Sequence, residues 1–256
     1  MTTSIERYLN SLPADRRILT IEYTGITDLP DLSRFKNLKE LYCGFNKLTS
    51  LLNTLPESLE ILHCSYNKLT SLPDLMRLKN LKKLYCSKNQ LTSLPTTLPQ
   101  GLEELICSDN QLTSLPDLAR LKNLKELNCS DNQLNSLPNT LPESLERLNC
   151  FDNKLTYLPN LPEKTIYIYY PNNPVYNILN VDINNNSLIK VKKNIKIVNN
   201  FRHLYNCLQF KKQLIKWLWK SREKKIMEKY HPKYLLENLD ENTDLDELLL
   251  SIKWAF

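Results

Sequence analysis

The 256-residue chain has only three glycines, three histidines and no apolar run long enough to cross a membrane. So few glycines argue against a glycine-rich loop of the kind that cradles a nucleotide phosphate. His63, His203 and His231 lack the spacing of metal ligands or of a nucleophile and its base, so the sequence offers no catalytic constellation. The first residues lack the basic flank and apolar stretch of a secretory signal peptide. We therefore expect a non-enzymatic cytoplasmic protein that needs no cofactor and no metal.

What the chain does have is a repeat. Six of its seven cysteines return at intervals of 21 or 22 residues, and an asparagine follows each of them three residues later. The cysteines are Cys43, Cys64, Cys86, Cys107, Cys129 and Cys150, and the asparagines are Asn46, Asn67, Asn89, Asn110, Asn132 and Asn153. A constant period in the twenties predicts a solenoid, in which each repeat forms one turn and stacks on its neighbours. Such a fold offers a long surface instead of a deep pocket.

The segment LKELNCSDNQL, residues 124–134, illustrates one repeat. Leu127 and Cys129 alternate with polar residues, which is the period of a strand with one buried face. The proline of the following Ser-Leu-Pro stretch cannot donate to a sheet, so the chain turns back there. The asparagine amide has donors and an acceptor, and it can satisfy backbone groups where the strand bends. We therefore assign the repeated cysteines and asparagines structural roles.

The repeated cysteines are expected to be reduced. They occupy a core position, where a free thiol behaves as a small apolar side chain. Neighbouring strands would hold them about 5 Å apart with parallel Cβ directions, a geometry that suits a disulfide poorly. A soft metal on this column of thiols is the alternative, but no histidine partner or Cys-x-x-Cys spacing supports it.

The pattern L-x-x-L-x-C-x-x-N-x-L resembles that of the leucine-rich repeat family over residues 18–175, in about seven to eight repeats of 20–22 residues. Residues 20–26 look like a degenerate first copy, with Ile21 for cysteine and Thr24 for asparagine, and residues 168–175 look like a degenerate last copy. The resemblance implies a repeat solenoid with a curved parallel β-sheet on the concave side, a mostly extended or irregular convex side, and a small C-terminal α-helical appendage. Thr3 and Glu6 have capping-box spacing, which predicts a helix over residues 3–11 within an N-terminal helical cap, residues 1–17.

Two kinds of repeat alternate. One contains PDLxRLKNLK and has 22 residues, and the other contains TLPxxLE and has 21, so only the convex segment changes length. The TLPxxLE repeats are similar to the short repeats of bacterial effector leucine-rich proteins. The cysteine and asparagine positions of the repeat and the tail rich in Asn, Lys and Ile resemble those of leucine-rich repeat proteins of giant DNA viruses. That resemblance implies a viral protein acting in the host cell, with a host protein as partner.

Outward strand positions would form lanes along the concave face. The central lane begins with Tyr42, His63, Tyr85 and Ile106, and the lane before it contains Glu40, Lys83 and Glu104. Tyrosine supplies a large contact area with few rotors and a polar tip, which favours binding hot spots. We predict that these seven residues bind a protein partner of a monomeric scaffold. The alternative is that exposed strand positions simply tolerate aromatic residues.

The remainder of the chain differs in charge. The 81 residues from Tyr176 onward hold 15 Lys/Arg and 9 Asp/Glu, which accounts for the whole net charge of +6. Residues 176–200 are predicted to be a linker or hairpin cap, because 188–191 and 195–198 alternate like short strands. Residues 201–256 are predicted to form a basic and then an acidic helical tail, with the first helix ending at His231-Pro232 and a last helix capped by Thr243 and Asp246.

The tail leaves three alternatives open. Its basic and acidic helices can simply pair, or dock a partner helix. A basic amphipathic helix with Trp217 and Trp219 could instead bind nucleic acid or an anionic surface. The string from Trp217 to Leu239 also resembles a C-terminal segment of assorted giant-virus proteins, for which no activity follows.

A ubiquitin-ligase-type effector component is a further alternative. Bacterial effector ligases join similar repeats to a helical domain with a nucleophilic cysteine, and Cys207 is the only cysteine outside the repeats. The tail is too short for that domain by this resemblance. The helical spacing instead places Cys207 on an apolar face, where we expect it to be core.

Overall fold

A computed structural model describes residues 4–179 and 188–230, and the side chains of residues 5–179 and 188–213. Eight three-residue strands form one parallel sheet in sequential order. They are β1 (Ile18–Thr20), β2 (Glu40–Tyr42), β3 (Ile61–His63), β4 (Lys83–Tyr85), β5 (Glu104–Ile106), β6 (Glu126–Asn128), β7 (Arg147–Asn149) and β8 (Tyr167–Tyr169). The predicted solenoid is confirmed, and the two degenerate copies supply its first and last strands.

Each strand turns its middle residue into the core and its two outer residues away from it. Leu41 pairs in register with Leu62, and the same pairing of central residues continues through Ile168. The register holds because the extra residue of the longer repeats lies in the convex segment and not in the strand. Each repeated cysteine is fully buried one residue after its strand. Between β1 and β8 the convex segments contain turns and no helix among the described residues.

The repeated asparagines bridge consecutive turns of the solenoid. The side-chain amide Nδ2 of Asn110 donates to the backbone carbonyls of Cys86 at 3.1 Å, of Cys107 at 3.2 Å and of Ser108 at 3.0 Å. Its Oδ1 accepts a hydrogen bond from the backbone N–H of Leu91 at 3.0 Å. One side chain therefore satisfies four backbone groups in two repeats, which is the role that its chemistry predicts.

The asparagine ladder extends beyond the six regular copies. At its start, the first regular asparagine, Asn46, reaches into the degenerate first repeat, where its Oδ1 accepts from the backbone N–H groups of Thr24 and Gly25 at 3.0 and 2.8 Å. At its end, Asn173 donates to the carbonyl of Cys150 at 2.9 Å, and it accepts from Leu155 N–H at 3.0 Å. The last repeat thus keeps the asparagine even though its cysteine position holds another residue.

A ladder of alternating charge runs just before the strands. The two kinds of repeat end in Lys and Glu respectively, so alternation of the repeats places opposite charges side by side. The residues are Lys39, Glu60, Lys82, Glu103, Lys125 and Glu146. Glu60 pairs with Lys39 and lies 3.0 Å from Lys82 Nζ. These two hydrogen-bonded cations lower the pKa of Glu60 to about 2. Two identical repeats in succession would instead place like charges together.

Helices lie at both ends of the repeat unit. Helix α1 spans Ser4–Ser11, inside the predicted range, and its Leu9 is buried in the core. The guanidinium of Arg34 donates to the carbonyls of Leu9 at 3.2 Å and of Leu12 at 3.0 Å, which ties the helix to the next repeat. At the other end, α2 spans Pro174–Leu179 and buries Val175 and Leu179.

The short strands predicted at 188–191 and 195–198 are wrong, because both segments lie in helix α3 (Leu188–Tyr230), whereas residues 180–187 of the predicted linker lie outside the described residues. The apolar residues of 188–198 fit both the two-residue period of a strand and the period of a helix, and packing against the core decides between the two. Val191 and Ile195, four residues apart, are buried against the core, whereas Ile189 and Ile197, which complete the strand pattern, are exposed. Asn199 donates to the carbonyl of Leu158 at 3.0 Å, so this first part of α3 belongs to the repeat unit.

The chain divides into two compact units, residues 1–199 and residues 200–256. In the second unit α3 is described as far as Tyr230, and the predicted helix stop at His231-Pro232 lies outside the described residues. Every described side chain from 201 to 213 is exposed, including Cys207, so the expectation that Cys207 is core is wrong. The predicted acidic segment and last helix lie outside the described residues, as do the side chains of Trp217 and Trp219. None of the described helices has the length and apolar content needed to span a membrane.

Candidate protein-interaction surface

The seven residues predicted to bind a partner lie together on the outward face of β2 to β5, and all are half-buried. The rings of the central lane form a continuous row. The centroids of Tyr42 and His63 lie 6.0 Å apart, and those of His63 and Tyr85 lie 5.8 Å apart with an angle of 67° between the ring planes. Ile106 follows on the next strand. The row is preformed, because neighbouring strands hold these side chains at one strand spacing from each other.

Carboxylates hold the two tyrosines in place. The hydroxyl of Tyr42 donates to Oε2 of Glu40 at 2.9 Å, and that of Tyr85 donates to Glu104. Lys83 Nζ lies 2.8 Å from Oε1 of Glu104, which completes a chain of three side chains. Burial opposes ionisation of Glu104, but the hydrogen bonds from Lys83 and Tyr85 outweigh it and lower the pKa of its carboxyl. Burial together with the bond to Glu104 raises the pKa of Tyr85.

A carboxylate two repeats away positions His63. Its Nδ1 lies 2.9 Å from Oε1 of Glu22, and since a carboxylate can only accept, Nδ1 is the donor. The intervening repeat has Gly44 at the position where four later repeats have serine. A Cβ on Gly44 would approach the His63 ring to 2.9 Å and Glu22 Oε1 to 3.0 Å. The missing side chain therefore makes room for the pair.

Sequence reasoning missed Glu22 because it lies in the degenerate first repeat, where the alignment to later copies is weakest. In four repeats the residue directly after the cysteine is a serine, and these serines form a lane that is buried. The Ser108 hydroxyl donates to Ser87 Oγ at 2.9 Å, so these two hydroxyls are already engaged with each other. The lane consists of Ser65, Ser87, Ser108 and Ser130.

The C-terminal half of the face is polar and largely occupied by its own contacts. Arg147 pairs with Glu126, with Nη2 to Oε2 at 2.6 Å. Asn128 and Asn149 each use their side-chain oxygen to accept a backbone N–H two residues ahead. The aromatic half is therefore the better candidate for partner contact.

Metal and thiol chemistry have little support in the described part of the chain. No group of three histidine, cysteine or acidic side chains there could hold a metal ion. Burial raises the pKa of Cys64, Cys107 and Cys150 to about 12, so these thiols are protonated at neutral pH. Cys207 is exposed, and its Sγ lies 3.6 Å from Nε2 of His203 one helical turn earlier.

Comparison with known proteins identifies the repeat. A family model described as "Leucine Rich repeats (2 copies)" matches residues 57–99 and again 100–142. No curated protein matched the chain.

Several solved structures are similar. The leucine-rich effector protein YopM from Yersinia pestis is 33% identical with a TM-score of 0.56, over 64% of this chain and 51% of that one. YopM from Yersinia enterocolitica is 34% identical with a TM-score of 0.53, over 64% and 39%. A Shigella effector leucine-rich repeat domain is 29% identical with a TM-score of 0.53, over 66% and 73%. The match thus spans only about half or less of the length of the two YopM chains. The resemblance to giant-virus proteins stays a prediction.

Proposed function

We propose that this chain, which carries leucine-rich repeats and has the leucine-rich repeat fold, is a non-enzymatic scaffold that binds a partner protein on its concave face. The observation that carries the proposal is the row Tyr42, His63 and Tyr85, in which every ring is fixed by a neighbouring carboxylate. Fixed aromatic side chains lose little entropy on binding, which is why such residues dominate interface energies.

Two further observations support the proposal. The row is half-buried, so it presents ring surface that a partner can cover without rearranging the strands. The similar structures include effector proteins of Yersinia and Shigella that carry the same kind of repeat. A scaffold of this kind recognises its partner over an extended surface and needs no pocket.

The test compares the full chain with the double variant Tyr42→Ala/Tyr85→Ala in capture from cell lysate, followed by affinity measurement with the isolated partner. We expect the double variant to bind at least about tenfold more weakly, since each ring is a candidate hot spot. The control is Tyr8→Ala/Tyr157→Ala, which removes two tyrosines away from the outward strand positions. Equal capture by all three proteins, with unchanged thermal denaturation, would remove the concave face as the binding site.

Binding of nucleic acid or an anionic surface through α3 is the second candidate. From 201 to 213 this helix exposes Lys211 and Lys212 beside the apolar side chains Phe201, Leu204 and Leu208. Phosphate contacts would make affinity fall steeply as salt increases. Lys211→Ala/Lys212→Ala should then weaken binding of labelled nucleic acid or anionic vesicles. Salt-independent binding, or none, would remove this candidate.

A further inference from the structure

A further lane of side chains, which we call the edge lane, runs along the side of the sheet where the chain leaves the strands. It comprises the residue three positions after each strand, which has a positive φ of 48–58° in every repeat. The members of this edge lane are Tyr23, Phe45, Tyr66, Lys88, Asp109, Asp131, Asp152 and Asn172. Because all have the same backbone conformation, their side chains repeat at the strand spacing along the solenoid.

The first part of the edge lane is an aromatic stack. The ring centroids of Tyr23 and Phe45 lie 4.5 Å apart and those of Phe45 and Tyr66 lie 4.2 Å apart, with planes within 16° of parallel. Tyr23 is 73% exposed and Tyr66 is 42% exposed. A bulky residue at positive φ is uncommon, whereas Asp and Asn tolerate that conformation. The stack therefore departs from what the backbone favours at three consecutive positions.

A cation already uses one end of this stack. Lys88 Nζ lies 5.0 Å from the centroid of the Tyr66 ring, within the range of a cation-π contact. It does so although Asp109 is its neighbour in the lane, and no ion pair joins the two. The stack thus provides a surface to which a positively charged group binds.

The last part of the lane is acidic. The carboxylates of Asp109, Asp131 and Asp152 make no hydrogen bond or ion pair among the described residues, and they occupy equivalent positions in consecutive repeats, whose backbones lie about 5 Å apart. The cations on the adjacent strands are already engaged, Lys83 with Glu104 and Arg147 with Glu126. No ion pair among the described residues therefore neutralises these three aspartates.

We propose that the edge lane binds an extended basic segment of the partner protein, with Lys or Arg side chains on the three aspartates and on the exposed rings of the aromatic stack. This inference rests on the proposed scaffold function and adds the charge of the partner. Charge complementarity selects this occupant, because an aspartate lane repels nucleic-acid phosphate and acidic peptides. Arginine fits both halves, since guanidinium groups pair with carboxylates and stack on aromatic rings.

The test measures binding of short fluorescent peptides to the full chain by anisotropy. One peptide alternates arginine and serine, and its counterpart alternates glutamate and serine. We expect the arginine peptide alone to bind, with an affinity that falls as salt increases. The variant Asp109→Asn/Asp131→Asn/Asp152→Asn keeps side chains that tolerate positive φ and should bind roughly tenfold more weakly, as expected for three exposed ion pairs. Tyr66→Asn, which copies the residue of the last repeat, should also weaken binding.

The matched control removes the same amount of charge elsewhere, at exposed Asp15, Glu143 and Glu163. If Asp15→Asn/Glu143→Gln/Glu163→Gln weakens binding of the arginine peptide as much as the edge-lane variant does, the loss reflects net charge alone and the inference is overturned. Preference for the glutamate peptide, or binding of neither peptide, would also overturn it. A captured partner that Tyr42→Ala/Tyr85→Ala no longer binds, but that the aspartate variant still binds, would support the scaffold function and contradict only the binding of a basic segment to the edge lane.

Discussion

His63 and Glu22 are 41 residues apart in the chain and two repeats apart in the solenoid, yet their side chains lie 2.9 Å from each other across Gly44. Contacts in a solenoid normally join adjacent repeats. This one passes over a whole turn, and it places an oriented imidazole between Tyr42 and Tyr85, at the centre of the proposed interface.

The first prediction concerns the space above Gly44. Gly44→Ala should displace the His63 ring and destabilise the protein by about 1 kcal/mol, because the added Cβ lies 2.9 Å from that ring. In a His63→Ala background the same change should cost almost nothing, which a double-mutant cycle by urea denaturation measures. Ser130→Ala, at the equivalent position of another repeat, is the control. An equal cost in both backgrounds would show that the ring is not the obstacle.

The second prediction concerns the asparagine ladder. Asn110→Ala leaves three buried carbonyls and one N–H without their side-chain partner, so we expect a loss of roughly 3 kcal/mol or more in the free energy of unfolding. Asn123→Ala, at an exposed position outside the ladder, should change stability by less than about 0.5 kcal/mol. Similar losses for the two variants in urea denaturation would contradict the structural role.

The third prediction concerns the thiols. In the native protein only Cys207 should react quickly with a thiol reagent, because the six repeated cysteines are buried and burial raises their pKa. All seven should react after denaturation, and Cys207→Ser should abolish the fast phase. If more than one thiol per chain reacts quickly in the native protein, the repeated cysteines must become accessible to solvent.

The fourth prediction concerns the pH dependence of the charge ladder. The pKa of Glu60 is lowered from 4.5 to about 2, so its ion pairs stabilise the folded state above pH 4.5 and this stabilisation is lost as the pH falls towards 2. Glu60→Gln should therefore lower the melting temperature at pH 7, and the difference from wild type should shrink below pH 4.5. Exposed Glu143→Gln is the control, and a difference that does not vary with pH would contradict the prediction.

The fifth prediction concerns the end of the repeat unit. A chain ending after Val175 loses the buried side chains of Leu179, Val191 and Ile195, so it should be several kcal/mol less stable than the full chain. A chain ending after Asn199 keeps them and should unfold at nearly the same urea concentration as the full chain. If both shortened chains are equally stable, the start of α3 is not part of the core.

Much of the repeat could be predicted from the sequence because each feature is local. Leu127 and Cys129 alternate with polar residues inside one segment, and the recurrence of that segment supplies the strand pairing and the asparagine ladder. The seven predicted interface residues share a face for the same reason. The members of the edge lane could have been identified from the sequence, because each lies three residues after a strand. The stacking of Tyr23, Phe45 and Tyr66 could not, because it depends on a positive φ that these residue types do not predict.

The predictions that failed concern segments whose conformation or burial depends on the tertiary contacts they make. Residues 188–198 fit both a helix and a strand pattern, and the surface at the end of the solenoid selects the helix by burying Val191 and Ile195. Cys207 has the spacing of a buried residue, but no described neighbour covers it.

The sequence by itself determined the solenoid, its register, the alternating charges and the buried column of cysteines, because these follow from a period that every repeat shares. Only the tertiary structure decided the His63–Glu22 pair, the helical conformation of residues 188–199 and the contacts that hold each ring of the central lane. The physical reason is that these features depend on the reach and volume of particular side chains in neighbouring turns, such as the space left by Gly44, which a repeating pattern does not encode.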